Sequence, residues 1–340
     1  MKLYKILIVL FLLIISIGAI YANEDVNGTT ESAMQDDIIS SDSTCSFKDL
    51  NDNIASNEDC LEITNDYIFN DSADGDFKDG IIINKTNYVI NGNNHVIDAK
   101  GKASIFNMNS TNVTINNLVL KNALNHCLNF TKSKITTNNV TFIDCTQGVK
   151  SNVVNVVMSN YVSNNDKFLD NGKEFMAINS QLSNVTVKNG YFKDNHGINW
   201  GLIQTMLSAI VIENTTFTNC TSNYATVINS MASSVTIKKS RFNNLVANVT
   251  SGALAFRKYA NVLIDDCEFI NVSSTKDGGA IFADMYIDGA HDGVMVINNT
   301  KFINCSSMFG GAIVQLSGSL NILGSSFTSN HADYDGGASL

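Results

Sequence analysis

A phenylalanine returns about every 25 residues through most of this 340-residue chain, and the residues before it return with it. The clearest copies are Val235-Thr-Ile237-Lys-Lys-Ser-Arg-Phe242 and Val262-Leu-Ile264-Asp-Asp-Cys-Glu-Phe269. Met295-Val-Ile297-Asn-Asn299-Thr-Lys-Phe302 and Leu320-Asn-Ile322-Leu-Gly324-Ser-Ser-Phe327 follow. Earlier copies end at Phe217, Phe192, Phe168, Phe142, Leu120 and Val96. The steps between these anchors are 24, 22, 26, 24, 25, 25, 27, 33 and 25 residues. A fixed period of this length marks units that cannot bury their apolar face alone and must stack.

Within one copy, two apolar residues alternate with polar ones, the pattern of a strand with one buried face. Three residues before the anchor stands Asn117, Asn139, Asn165, Asn189, Asn214, Asn299 or Gly324. Asn and Gly tolerate a positive φ, so the chain is expected to bend there and carry Phe inward on a second short strand. A third strand is expected after Ser251-Gly-Ala-Leu254, Gly278-Gly-Ala-Ile281, Gly310-Gly-Ala-Ile313 and Gly336-Gly-Ala338, where small residues allow a tight corner. Three short strands and three corners per 25 residues predict an all-β solenoid, a right-handed parallel β-helix of about ten coils. Asparagines at equivalent corners should form amide ladders.

Leucine-rich repeats need several leucines per unit, whereas Ile, Val and Phe dominate here. Propeller blades need 40 or more residues. Proline is absent and asparagine occurs 47 times. Lack of Pro suits unbroken ladders, although an AT-rich genome would shift composition the same way.

The ends are distinct. Lys2 and Lys5 precede an apolar run from Ile6 to Ile20, followed by Tyr21, Ala22 and Asn23. This reads as a signal peptide over 1–22, too short to span a bilayer unless retained as an anchor. Residues 23–44 read as a flexible polar leader. Residues 45–80 read as an N-terminal cap, with a short amphipathic helix at Phe47-Lys-Asp-Leu50-Asn-Asp-Asn-Ile54 and a strand at Leu61-Glu-Ile63. The β-helix is expected over 81–340. The chain stops at Gly336-Gly-Ala-Ser-Leu340, inside a coil, which suggests truncation and end-to-end self-association.

Charge narrows the partners. The chain has 22 basic and 32 acidic residues, net −10, and its arginines are Arg241 and Arg257. Nucleic acid is disfavoured, because phosphate binding needs clustered Lys and Arg. No membrane insertion is expected once the signal is cleaved, and no cofactor is expected. Seven cysteines leave at least one unpaired. Cys45 and Cys60 are the candidate disulfide, while Cys145, Cys220 and Cys305, each three residues after an anchor, read as small buried hydrophobes. With no C-x-x-C and few His, zinc is not expected. The Asp71, Asp74, Asp76 and Asp79 loop does not match calcium spacing. Fourteen sequons include candidate glycosylation sites at Asn84, Asn112, Asn139, Asn184, Asn214 and Asn298.

The 33-residue step holds an insertion carrying Asp284, Tyr286, Asp288, His291 and Asp292. Insertions in solenoids loop outward, often on the binding face, and these side chains suit sugars. The competing view is a solvated loop. Trp200 is expected to pack at a coil corner.

Phe47-Lys-Asp-Leu50, Gly80-Ile-Ile-Ile83, Asn91-Gly-Asn-Asn-His95-Val-Ile-Asp98, Ile105-Phe106 and Asn112-Val-Thr-Ile115 resemble the start of adhesin-like surface proteins of methanogenic archaea. Phe327-Thr-Ser-Asn330 and Gly278-Gly279-Ala280-Ile281 resemble the repeats of chlamydial polymorphic outer membrane proteins. The resemblance spans roughly 45–340. It implies an exported β-helix at the cell surface that binds glycans or proteins of other cells or envelopes, without catalytic residues. The competing functions are a β-helix polysaccharide lyase, hydrolase or epimerase, and a structural envelope component. An enzyme needs clustered carboxylates, usually with Arg, Lys or His, on adjacent coils. Asp265 and Asp266 are adjacent but should point to opposite faces unless a corner intervenes.

Overall fold

The computed structural model describes residues 45–145, 151–171, 175–197, 199–287 and 292–339. The signal peptide and polar leader expected over residues 1–44 lie outside these. The rest forms a parallel β-helix whose strands fall into three sheets of 11, 14 and 10 strands. Each strand pairs in parallel with its equivalent one coil away, as Asn112–Asn116 does with Lys134–Asn138. Among the described residues, no helix is long and apolar enough to cross a membrane.

One coil shows the plan. Asn112–Asn116 lies in the first sheet, Val119–Lys121 in the second and Leu128–Thr131 in the third. The corner between the first two is Asn117 at φ 49°. Asn139, Asn165, Asn189, Asn214, Asn299 and Gly324 take the same left-handed conformation, as do Lys239 and Asp266. Amide ladders form along this corner, from Asn139 to Asn117 at 2.9 Å and from Asn214 to Asn189 at 2.8 Å. The anchors stack in the second sheet. From Phe142 to Phe327 successive rings lie 4.4–5.2 Å apart, centre to centre. Full burial of each such ring stabilises the coil by roughly 1.5–3 kcal/mol.

One anchor shifts. Leu120 pairs with Ile97, not Val96, and Ile97 pairs with Tyr67. The corner before it, residues 92–95, includes left-handed Asn93 and Asn94 and is two residues longer than 117–118 in the next coil, which sets Ile97 as the inward residue.

The helix α1, Phe47–Ser56, buries Phe47, Leu50 and Ile54. Ser46 and Asp49 form a reciprocal capping box at its start. Asp74, fully buried, accepts from Phe47 N at 3.0 Å, Lys48 N at 2.9 Å and Asn70 N at 2.7 Å. This carboxylate of the acidic loop therefore fastens the helix N-terminus to the first coil. The segment 45–80 also contains Cys60–Glu62 and Tyr67–Ile68, which already pair in the ladders.

A buried polar cluster that includes a carboxylate interrupts the core. Thr137 and Ser163 replace the aliphatic residues that Ile115 and Val187 supply in flanking coils. Their hydroxyls donate to Asp166 Oδ2, Ser163 at 2.7 Å. Val140 N donates to Asp166 Oδ1 at 2.7 Å, and Tyr161 OH lies 3.0 Å from Thr137 Oγ1. Burial pushes the Asp166 carboxyl up to about 6 and raises the Tyr161 phenol as well.

The bonded cysteines are Cys127 and Cys145. The Cys45–Cys60 loop expected from sequence is not closed: Cys60 Sγ lies 3.6 Å from Glu62 Oε1 and from Asn91 Nδ2. Cys45 and Cys60 sit on neighbouring elements at the cap, whereas Cys127 and Cys145 both face the coil interior. Cys220 and Cys305 are buried thiols in the position expected, and Cys267 is buried at the coil position that Asp166 holds four coils earlier. Burial pushes Cys220 and Cys267 up to about 11 and Cys305 up to about 12, which removes their nucleophilicity at neutral pH.

Candidate functional surface

The interior of the solenoid is packed, so the chemistry available to a partner lies on the outward positions. They differ by face. On the first sheet the last outward position reads Lys188, Glu213, Lys238 and Asp265 along successive coils, alternating in sign. On the second, Arg241, Glu268 and Lys301 do the same, with Lys301 Nζ 2.9 Å from Glu268 Oε1. Asp266 is itself a corner, at φ 54°, so Asp265 and Asp266 both face outward. They stand beside Lys238 and Lys239, which offset their charge.

The third sheet is different. From coil to coil its central outward position is Asn107, Asn129, Asn155, Asn179, Gln204 and Asn229. Asn155 donates to Asn129 and Asn179 to Asn155, both at 2.8 Å. The next outward position is Asn109, Thr131, Val157, Gln181, Met206 and Met231. None of these twelve side chains is ionisable. The row ends at Arg257, which donates to Asn229 Oδ1 at 3.1 Å and lies over the Phe282 ring at 5.9 Å. Asp284 is the register partner of Arg257 and accepts from Ser317 Oγ at 2.8 Å.

Beside this face runs the corner from the third sheet to the first. Ser110, Lys132, Met158, Leu182, Leu207, Ala232 and Lys258 occupy it, all at φ between 47° and 59°. Met158 is 46% exposed, Leu182 49%, and neighbouring Met231 40%. A left-handed conformation costs a non-glycine residue roughly 1–2 kcal/mol. A half-exposed aliphatic side chain recovers only part of that by burial.

The insertion lies at the far end of the same face. Asp284 is exposed, Met285 is buried, and Tyr286 is 56% exposed. Asp292 Oδ1 accepts from Ile287 N at 2.8 Å and so closes the base of the loop. Asp288 and His291 lie outside the described residues. The structure thus brings Asp284 and Tyr286 to the surface and uses Asp292 internally. The Arg257–Phe282 pair beside them carries no sequence signal, because only the register places residues 25 apart side by side.

A carboxylate column also emerges. Asp144, Asp170 and Asp194 occupy the left-handed corner after the second sheet on three successive coils, at φ 49°, 49° and 54°. Burial raises the Asp144 carboxyl above the usual range, opposed by Lys121 and reinforced by Asp170 and Asp98. Lys193 Nζ lies 3.5 Å from Asp194. Farther along, Asn219, Asn244, Asn271 and Asn304 continue the corner as an amide ladder with spacings of 2.8–3.2 Å. Among the described residues, no group of three or more His, Cys, Asp or Glu could hold a metal ion.

Of the sequons, Asn84 is exposed between strands. The amides of Asn112, Asn139, Asn184 and Asn214 already donate to Asn87, Asn117, Asn160 and Asn189. Asn298 is half-buried.

No protein-family model matches the chain, and no curated protein matches it. Among solved structures, the surface adhesin PfbA of Streptococcus pneumoniae is similar at 13% identity, with a TM-score of 0.40, over 86% of this chain and 93% of that one. The catalytic domain of a GH87 alpha-1,3-glucanase in complex with nigerose is similar at 11% identity and TM-score 0.48, over 92% of this chain and 67% of that one. A PL6 alginate lyase complex with trisaccharide is similar at 13% identity and TM-score 0.34, over 84% of both chains. At these identities and TM-scores the likeness carries no argument about function. Adhesins and polysaccharide-active enzymes share the β-helix, so no function follows from it.

Proposed function

We propose that the chain is an exported, non-catalytic, adhesin-like surface protein that binds cell-surface or envelope ligands through its third-sheet side. The observation that carries this is the Met158, Leu182 and Leu207 corner. Three successive coils hold bulky aliphatic residues in a costly conformation while leaving Met158 and Leu182 nearly half exposed and Leu207 partly exposed. Folding gains only part of the burial these side chains could give, and exposed apolar patches mark interaction surfaces. The adjoining face is free of ionisable side chains across six coils in a chain of net charge −10, which suits an uncharged ligand. Export rests on the Lys2–Ala22 signal pattern, and the archaeal adhesin-like resemblance points the same way.

The test is direct because the corner accepts lysine: Lys132 and Lys258 hold it in other coils at φ 51° and 59°. A Met158→Lys/Leu182→Lys/Leu207→Lys variant should fold normally and lose binding to whole cells and envelope preparations at least tenfold. Unchanged binding by this variant would contradict the assignment.

A second reading, a polysaccharide-active enzyme, is favoured by the Asp144, Asp170 and Asp194 column, because stacked carboxylates can supply an acid–base pair. Sugar release from polysaccharides, abolished by Asp170→Asn, would establish it.

A further inference from the structure

The edge between the second and third sheets carries two aromatic pairs that packing of the fold does not require. Trp200, expected to be packed, is 44% exposed. Its ring stacks on Tyr224 with centroids 5.5 Å apart and planes 23° apart. Phe309 and Tyr334 stack in the same way, at 5.4 Å and 22°, and Tyr334 is 69% exposed.

Trp200, Tyr224 and Phe309 share one position in the coil; Tyr334 stands one residue before it, since Asp335 precedes Gly336 at φ 71° and is the ladder partner of Phe309. Trp200 precedes Gly201 at φ 81°, Tyr224 precedes Ala225 at φ 54°, and Phe309 precedes Gly310 at φ 61°. The backbone there is rigid. A Cβ on Gly201 would stand 2.1 Å from the Ala225 carbonyl oxygen, and Tyr224 N donates to Asn199 O at 3.2 Å. Tyr334 N likewise donates to Met308 O at 3.1 Å. Between the pairs the same position is Thr250 and Asp277, as the ladder bonds Ala225 N to Thr250 O, Ser251 N to Asp277 O and Gly278 N to Phe309 O show. Tyr224 and Phe309 are therefore three coils apart, about 14 Å at the strand spacing.

Around the first pair the groups are polar and mostly uncharged. Asn248 donates to Asn223 at 3.1 Å, and His196 Nδ1 lies 2.9 Å from Thr221 Oγ1. A ring-sized apolar face bordered by amides and hydroxyls does not suit an apolar helix, which needs a continuous stripe. It suits a pyranose, whose C–H face meets the negative face of an aromatic ring while its hydroxyls reach the border. Asp277 between the pairs disfavours an acidic sugar.

We propose that this edge is a carbohydrate track, on which Trp200–Tyr224 and Phe309–Tyr334 each stack one sugar ring of a neutral linear oligosaccharide running along the solenoid axis. It goes beyond the surface-binding reading and uses none of the residues of the aliphatic corner.

Trp200 is the only tryptophan, so its fluorescence reports the first pair alone. The full chain is titrated with cello-, laminari-, manno- and chito-oligosaccharides of two to six units. At least one series should shift Trp200 emission saturably and protect it from acrylamide. Affinity should rise about tenfold once the ligand is long enough to reach both pairs. Tyr334→Ala should remove that rise and keep the response to short ligands, while Tyr224→Ala should weaken both. The lysine variant of the aliphatic corner should respond like the wild type, which separates failure of the track from failure of the surface-binding reading. No emission change and no acrylamide protection with any series overturns the track. So does a response to apolar peptide in place of sugar, or a length dependence that Tyr334→Ala leaves intact.

Discussion

Phe168 and Phe192 lie face to face, 4.4 Å between ring centres and 4° between planes, although 24 residues separate them in sequence. The contact exists because the period of the sequence equals the perimeter of the coil. Both rings are fully buried, and each is enclosed by the coils on either side.

Phe192→Ala should therefore lower stability by about 3–5 kcal/mol, the cost of an aromatic cavity in a packed core. Phe327→Ala should cost much less, because Phe327 is only partly buried. Denaturant midpoints of the two variants check the difference. Equal losses would contradict the stacking account.

Asp166 gives stability a pH dependence of known sign. Its folded pKa, about 6, exceeds the ordinary carboxylate value. Between roughly pH 4 and 6 the folded chain holds a proton that the unfolded chain releases, so stability falls as pH rises through that window. Two units correspond to about 3 kcal/mol. Asp166→Asn should flatten this slope and raise stability at pH 7, measured by urea titration at several pH values. A wild-type slope of the opposite sign between pH 4 and 6, unaltered in the variant, would refute it.

Backbones of adjacent coils nearly touch at Gly279, where a Cβ would stand 1.9 Å from Gly311 O and 2.7 Å from Ser306 N. Carbonyl and amide atoms in a ladder cannot yield, so Gly279→Ala should cost at least the 1–3 kcal/mol (roughly) of overpacking. Gly75→Ala, with nothing within 4 Å, is the matched control and should be near neutral. Thermal melts of both variants decide it.

The Cys127–Cys145 bond closes a loop with a sequence separation of 18. Reduction should lower stability by about 3 kcal/mol, while Cys220→Ser, a thiol outside the bond, should leave the sensitivity to reductant in place. Non-reducing peptide mapping identifies the pair directly, and a Cys45–Cys60 peptide in its place would contradict the structure.

The sequence revealed the solenoid because its period, its alternation and its left-handed Asn corners act locally, and Asn117 through Asn299 bend where expected. The Val96 anchor slipped because the corner 92–95 is two residues longer than its neighbour 117–118, which puts Ile97 and not Val96 opposite Leu120 without changing the look of the strand. The candidate surface was much less legible. Tyr286 and Asp284 could be picked from the insertion, but the Arg257–Phe282 contact, the Asp144–Asp170–Asp194 column and the Trp200–Tyr224 stack depend on register between coils. A shift of one residue would dissolve each of them. The Thr137–Ser163–Asp166 cluster was hidden for the same reason, since each residue alone reads as an ordinary strand or corner residue.

The central claim, ligand binding without catalysis, is tested most directly by one paired assay: binding of residues 23–340 to a glycan and whole-cell panel, with reducing-sugar release followed on the same panel. The account predicts saturable binding, lost in the Met158→Lys/Leu182→Lys/Leu207→Lys variant, with no sugar released. Sugar release that disappears in Asp170→Asn would contradict it and make the carboxylate column the active site.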